Sequence, residues 1–360
     1  MDRTGEVSYK LDLIRKLIGG NEAVRLRGID WFAWASAGGS SAVLLAAETG
    51  IAEIFISRGG AWVLTDQIES KRLADEELTA NFTIQATSWA HPLEREHFIR
   101  EIAGRYIILS DRPLPGEKPL PKALIVAKQT LGDLEVKRYQ KVGRLAAEAM
   151  TEALLRALPG WSEWELAGAG SQALMTRGLH PALVLCAGEK RLPLYRQPTP
   201  THELLGNSAM LVFCARMHGL YANITRFISF GKLPAAAAEQ HRQVREIEAC
   251  ALKQSRPGAG LNDIYTTLAQ AYAEAGHPQA IHEHHQGGTT GYLSREIVAI
   301  PGTPELLQGN AAIAWNPSLR GAKIEDTFVV TDQGLINLTF DRNWPTTMVA
   351  GIERPLVLEL

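Results

Sequence analysis

Trp315-Asn-Pro-Ser-Leu-Arg-Gly-Ala-Lys-Ile-Glu-Asp-Thr327 reads as a turn between two strands, with Asn316, Arg320, Lys323, Glu325 and Asp326 as its polar groups. A solvated hairpin tip would account for most of them. It does not account for Glu325, which sits inside the apolar register of Ile324, Phe328 and Val330. A carboxylate there is half withdrawn from water and needs a partner.

Two segments farther out carry the same conflict. Tyr221-Ala-Asn-Ile-Thr-Arg226 lies within a strand pattern, where Asn and Arg are poor residues unless they have a role or a partner. In the blander alternative, Asn223 and Arg226 line one wet face of an antiparallel pair. His277, His282, His284 and His285 fall within nine residues, and the run continues to Tyr292 through glycines 287, 288 and 291. Such glycines let the backbone approach a ligand or another strand. A polar turn with surface histidines explains the run equally well. His285, beside the glycines, is the better functional candidate, because imidazole serves as acid, base or ligand near neutral pH.

Composition narrows the function classes. The chain has 360 residues with 37 basic and 39 acidic side chains, a formal charge of −2. That balance argues against a nucleic-acid partner, which needs a basic face. The length suggests two domains. Three cysteines, Cys186, Cys214 and Cys250, make no disulfide framework. The charged start has no apolar signal core, and no run approaches the roughly 20 apolar residues of a membrane helix. A soluble, cytoplasmic protein with no membrane partner is expected. Walker, Gly-x-Gly-x-x-Gly, Gly-x-Ser-x-Gly and Cys-x-x-Cys signatures are absent, which demotes ATPase, dehydrogenase, serine hydrolase and structural zinc readings.

The patterns predict a small α/β domain first. It has an aromatic strand at 29–34, a short helix at 41–49, a hairpin over 51–65, helices at 67–79 and 93–102, and strands at 82–86 and 106–109. The stretch Pro113 to Pro121 holds four prolines and reads as a stiff connector, with the boundary near residue 130. A long helix at 134–158 opens the second part and stops at Pro159-Gly160. Ser162 with Glu165 is a capping box for the next helix, to about residue 177. Strands follow at 183–187, 210–217 and 220–230, helices at 235–254 and 261–275, and strands at 311–315, 324–331 and 335–339.

Together these segments resemble the creatinase, aminopeptidase P, prolidase and methionine aminopeptidase family. Asn223-Ile-Thr-Arg226 matches the family's Asp-Ile-Thr-Arg and His285-Gln-Gly-Gly288 its His-x-x-Gly. Asn316-Pro-Ser318 stands for Glu-Pro-Gly, and Ile324-Glu-Asp-Thr327 matches Ile-Glu-Asp-Thr. Trp31 to Gly39, the 68–77 helix and Pro159-Gly-Trp-Ser-Glu163 fit the rest of the pattern. The resemblance implies an α+β protein, with a creatinase-type α/β N-terminal domain (1–130) and a pita-bread C-terminal domain (131–360).

The same resemblance implies two divalent metals held by Asp, Asp, His, Glu and Glu. These positions fall on Val212, Asn223, His285, Asn316 and Glu325, so one carboxylate remains to balance the charge of two ions. Hard cations prefer charged oxygens, and an uncompensated charge in a partly dry cleft is costly. No metal or other cofactor is expected. A lone zinc on His285 with a neighbouring histidine or Cys214 stays open, although Cys214 reads better as a core thiol. Tyr292 stands where the peptidases have a second histidine. The stretch Pro193 to Pro198, where creatinase has its base, holds no histidine.

Three functions remain. The first is a metal-independent enzyme acting on a small nitrogen compound, for example by C–N hydrolysis. It would use His285 as acid/base, Glu325 as its orienting group, and Asn223, Arg226, Tyr292, Asn316, Arg320 and Lys323 as substrate contacts. The second is an inactive relative that binds a small ligand or short peptide. The third is an Xaa-Pro aminopeptidase with unorthodox ligands. A homodimer is implied by the resemblance, and Trp31, Trp34 and Trp62 would suit its interface if exposed.

Overall fold

The computed structural model describes residues 2–360, which form two compact units divided between Gln129 and Thr130. The first contains α1 (Arg3–Leu17), β1 (Glu22–Gly28), α2 (Ile29–Ala35), β2 (Thr49–Ser57), β3 (Gly60–Asp66) and α3 (Ser70–Arg72), which widens into a π turn over Leu73–Glu77. It continues with β4 (Thr83–Thr87), α4 (Leu93–Ala103), β5 (Ile107–Ser110), β6 (Lys118–Pro119) and α5 (Lys122–Gln129). Its mixed sheet runs β4-β3-β2-β1-β5-β6.

Two sequence expectations in this unit are corrected. The aromatic stretch predicted as a strand is the helix α2. Ile29–Ala35 has no period-two alternation, and its helical turn places Trp31 and Trp34 edge to face at 5.5 Å. Both tryptophans are buried and serve the core. The predicted helix at 41–49 is irregular, with Val43, Leu44 and Leu45 exposed, so no core contact offsets the cost of ordering it. Helix α1, capped by the Asp2 carboxylate on the Gly5 N–H, was not anticipated.

The second unit opens with α6 (Asp133–Leu155) and α7 (Glu163–Met175), the latter with the expected Ser162/Glu165 capping box. Next come β7 (His180–Gly188), β8 (Ser208–Met217), β9 (Leu220–Ser229), α8 (Ala235–Gln254), α9 (Leu261–Glu274), β10 (Gly287–Thr290), β11 (Ile297–Val298), β12 (Ala312–Trp315), β13 (Ser318–Leu319) and β14 (Ala322–Lys323). Five short strands end the chain: β15 (Phe328–Thr331), β16 (Gly334–Asn337), β17 (Thr346–Val349), β18 (Ile352–Pro355) and β19 (Leu358–Glu359). One sheet is β19-β9-β8-β7 and another β11-β10-β12-β15-β16. A bridge between Thr225 and Glu325 joins β9 to the approach of β15.

Helices cover both sheets. α6 lies against β8 and β9. Gly143 lets it approach closely, since a Cβ there would fall 2.2 Å from the Leu338 carbonyl oxygen. α9 buries Leu261, Ile264, Leu268 and Tyr272, spaced at one helix face, against Val244, Trp315 and Phe328. Burial of each such side chain contributes roughly 1.5–3 kcal/mol.

Candidate functional site

β9 sets the geometry of the cleft. Successive strand residues face opposite ways, so Asn223 and Thr225 share one side and Arg226 takes the other. The Thr225 hydroxyl donates to Glu325 Oε2 at 3.2 Å, which puts Glu325 on the Asn223 side. Glu325 is buried as the register required. Its partner is Arg295, whose Nη2 donates to Oε1, with Lys323 Nζ 3.9 Å from Oε2. Two cations thus face one carboxylate. Burial lowers the pKa of Lys323, and Glu325 only partly offsets this.

The asparagines replace charge with dipoles. Asn223 Nδ2 donates to Thr290 Oγ1 at 3.0 Å and to the Ser294 carbonyl at 3.4 Å. A carbonyl can only accept, so the amide nitrogen is fixed there, and Oδ1 is buried with no partner. Arg295 Nη1 donates to the same Ser294 carbonyl at 2.7 Å, while its Nε is buried unpaired. Asn316 is tied to the histidine segment through its backbone N–H on the Gln286 carbonyl at 3.1 Å, and its Oδ1 is also buried without a partner.

His284 and His285 stack with ring centroids 4.4 Å apart, and Gln197 Nε2 lies 3.1 and 3.3 Å from their Nε2 atoms. His285 keeps an exposed edge. Loss of hydration and then the Arg295 charge push its pKa down to about 4. His284 is pushed to about 2, by burial first and by Lys323 next. Both rings are therefore neutral at pH 7. His285 Nδ1 accepts from the Gly287 N–H at 3.3 Å, which places the ring proton on Nε2 and requires the Gln197 amide to turn its oxygen, not its nitrogen, to that ring. Gly287 makes this approach possible. Its φ is +92°, and a Cβ there would meet the Ala314 oxygen at 2.0 Å.

Three residues assigned to substrate from sequence lie elsewhere. Arg226, on the far side of β9, pairs with Asp326 at 2.7 Å. Asp326 also meets Arg354 at 2.8 Å, and Arg354 grips Glu248 at 2.7 and 2.8 Å, a buried four-charge chain that holds the fold. Burial raises the Glu248 pKa to about 7 against the opposing pull of Arg354. The Tyr292 hydroxyl donates to Glu135 on α6 at 2.6 Å, deep in the core. Arg320 sits at the exposed β13–β14 turn, 3.9 Å from Glu283. The structure brings Asn223, His285, Asn316, Lys323 and Glu325 into one connected region.

Arg295 and Gln197 were missed. The available signal was the charged pair Arg295-Glu296 directly before the apolar Ile297-Val298 of β11, and for Gln197 its place in the Pro193–Pro198 segment. Half-buried Cys214 pairs across from Asn223, and burial pushes its thiol up to about 12, the state of an inert core sulfur.

Residues 137–332 match the model of metallopeptidase family M24. An uncharacterized peptidase of Staphylococcus aureus is 30% identical over 124 residues, 33% of this chain. The matched part is 35% of that relative's length, about a third. An Xaa-Pro dipeptidase from Bacillus anthracis superposes with a TM-score of 0.78 at 16% identity, covering 98% of this chain and 100% of its own. An X-Pro aminopeptidase from Thermotoga maritima gives 0.76 at 18% identity, covering 93% and 97%. At such identities the likeness speaks for the α+β pita-bread fold.

Proposed function

This chain belongs to metallopeptidase family M24, and from that premise we propose that its cleft works without divalent metal on a small, anionic nitrogen compound or short peptide. The observation that carries this reading is the Arg295–Glu325 pair. The one surviving acid of the expected ligand set is already neutralised by a guanidinium, with an ammonium behind it. Asn223 and Asn316 offer dipoles, and Val212 offers no donor atom. Among the described residues, no three His, Cys, Asp or Glu side chains gather so as to hold a metal ion. The donor set does not fit the pair of ions that the family name implies.

The unpaired atoms define the ligand. Arg295 Nε receives an anionic oxygen, and the unpartnered Asn223 and Asn316 Oδ1 atoms receive N–H groups. Arginine's fixed fork suits a carboxylate. For hydrolysis His285 takes a proton from water through Nε2, the oxygen adds to carbon, the C–N bond breaks, and the imidazolium returns its proton to the departing nitrogen. That route uses the tautomer with Nδ1 protonated and gives up the long Gly287 contact. The resting tautomer favours a second reading, a ligand-binding relative in which His285 only donates.

A panel of N-substituted amino acids, guanidino acids and dipeptides, screened for turnover and for thermal shift in the presence of chelator, tests both readings. Turnover abolished by His285→Ala supports the first, and binding without turnover supports the second. No binding of any anionic member, or binding unaltered by Arg295→Met, overturns the proposed site. A homodimer is proposed as its setting on the strength of the family resemblance, and the cytoplasm on the strength of three cysteines that make no disulfide framework.

A further inference from the structure

A cavity of about 20 Å³ lies between α8, β9 and the segment 355–357. Arg226, Arg245, Lys323 and His241 line it, and no carboxylate does. The charge of Arg226 is balanced by Asp326 at 2.7 Å. Arg245 is half-buried and less well balanced, because Glu246, the next residue of α8, bonds Arg242, and Arg245 Nε is buried without a partner. Lys323 is buried, with Glu325 at 3.9 Å, beyond hydrogen-bonding reach. His241, edge-on to Phe227 at 4.6 Å, is held neutral by burial and can add only an N–H donor.

Cations withdrawn from water cost free energy unless a counter-charge accompanies them. A single water would satisfy donors but bring no charge. The pocket is partly open, and its inner volume suits about one water-sized particle, smaller than phosphate or sulfate. We propose that this cavity holds one monovalent inorganic anion of chloride size, bound chiefly by Arg245 and Lys323. The site stands apart from the reading of the cleft, although Lys323 lines the cavity and also pairs with Glu325. An occupied cavity therefore favours the charged form of Lys323 beside Glu325.

Thermal unfolding of the full chain in sodium chloride and in sodium gluconate, at equal ionic strength, tests this. Chloride is expected to raise Tm by about 2–4 °C in a saturable way, and Arg245→Gln to abolish the difference. Equal Tm values in the two salts for the wild-type chain overturn the proposal. If Arg245→Gln fails to fold, bromide-soaked wild-type crystals decide. An anomalous peak between Arg245 and Lys323 supports the anion, and water alone at that position refutes it.

Discussion

Replacing Arg295 by Met removes the guanidinium from Glu325 while keeping a side chain of similar reach. Loss of one partner from a buried ion pair costs about 3–5 kcal/mol. Two features place this case at the lower end. Lys323 stays 3.9 Å from Glu325 Oε2, an attraction of about 4 kcal/mol at an effective dielectric of 20. The Arg295 side chain is also 16% exposed, so part of its charge is already solvated. We expect Arg295→Met to cost about 3 kcal/mol. The double variant Arg295→Met/Glu325→Gln should cost less than the two single changes summed, by about 2 kcal/mol. Native-state hydrogen exchange of peptides covering 220–229 and 324–331 reads this locally, without requiring both units to unfold together. Single costs that add within about 0.5 kcal/mol would show that the two residues do not depend on each other.

Other residues make separate demands. Gly287→Ala forces a Cβ to 2.0 Å from a carbonyl oxygen at φ +92°, so it should lower stability by more than about 2 kcal/mol and abolish ligand binding, as read by urea midpoints and calorimetry. Tyr292→Phe should cost about 1–2 kcal/mol through the lost Glu135 bond and leave ligand affinity unchanged, and Arg320→Ala should change neither. His285, His241 and His284 are neutral in the fold, with pKa values pushed from 6.5 to about 4, 3 and 2. The folded values are depressed, so the stability is complete above pH 6.5 and drains away as pH falls toward them. His241→Phe should flatten Tm against pH between 6.5 and 4, and an unchanged slope would contradict its buried neutral state.

The helix boundaries of α8 and the capping box of α7 were legible because each rests on local chemistry, a 3.6-residue apolar period or a Ser/Glu spacing, whereas the α+β class came from the motifs that carry the family resemblance. The buried position of Glu325 was legible for the same reason, since a carboxylate interrupts an apolar register. Its partner was not. Arg295 precedes it by thirty residues and reaches it only when β10 and β11 fold back beside β9. Arg226 could not be told from Asn223 by motif alone, because strand parity within Asn223-Ile-Thr-Arg226 sends the two side chains to opposite faces. One residue beyond Thr225, the side chain turns to Asp326 and the buried charge chain. Tyr292 likewise finds Glu135 on α6, a contact 157 positions away that no spacing reveals.

Metal content of the purified chain, incubated with excess manganese, cobalt or zinc ions, desalted and measured by plasma mass spectrometry, decides whether divalent ions belong beside Glu325. With Arg295 and Lys323 holding the acid, well under one ion per chain is expected, and chelation should leave ligand binding unchanged. About two ions per chain, lost on His285→Ala or Glu325→Gln, would contradict the metal-free cleft.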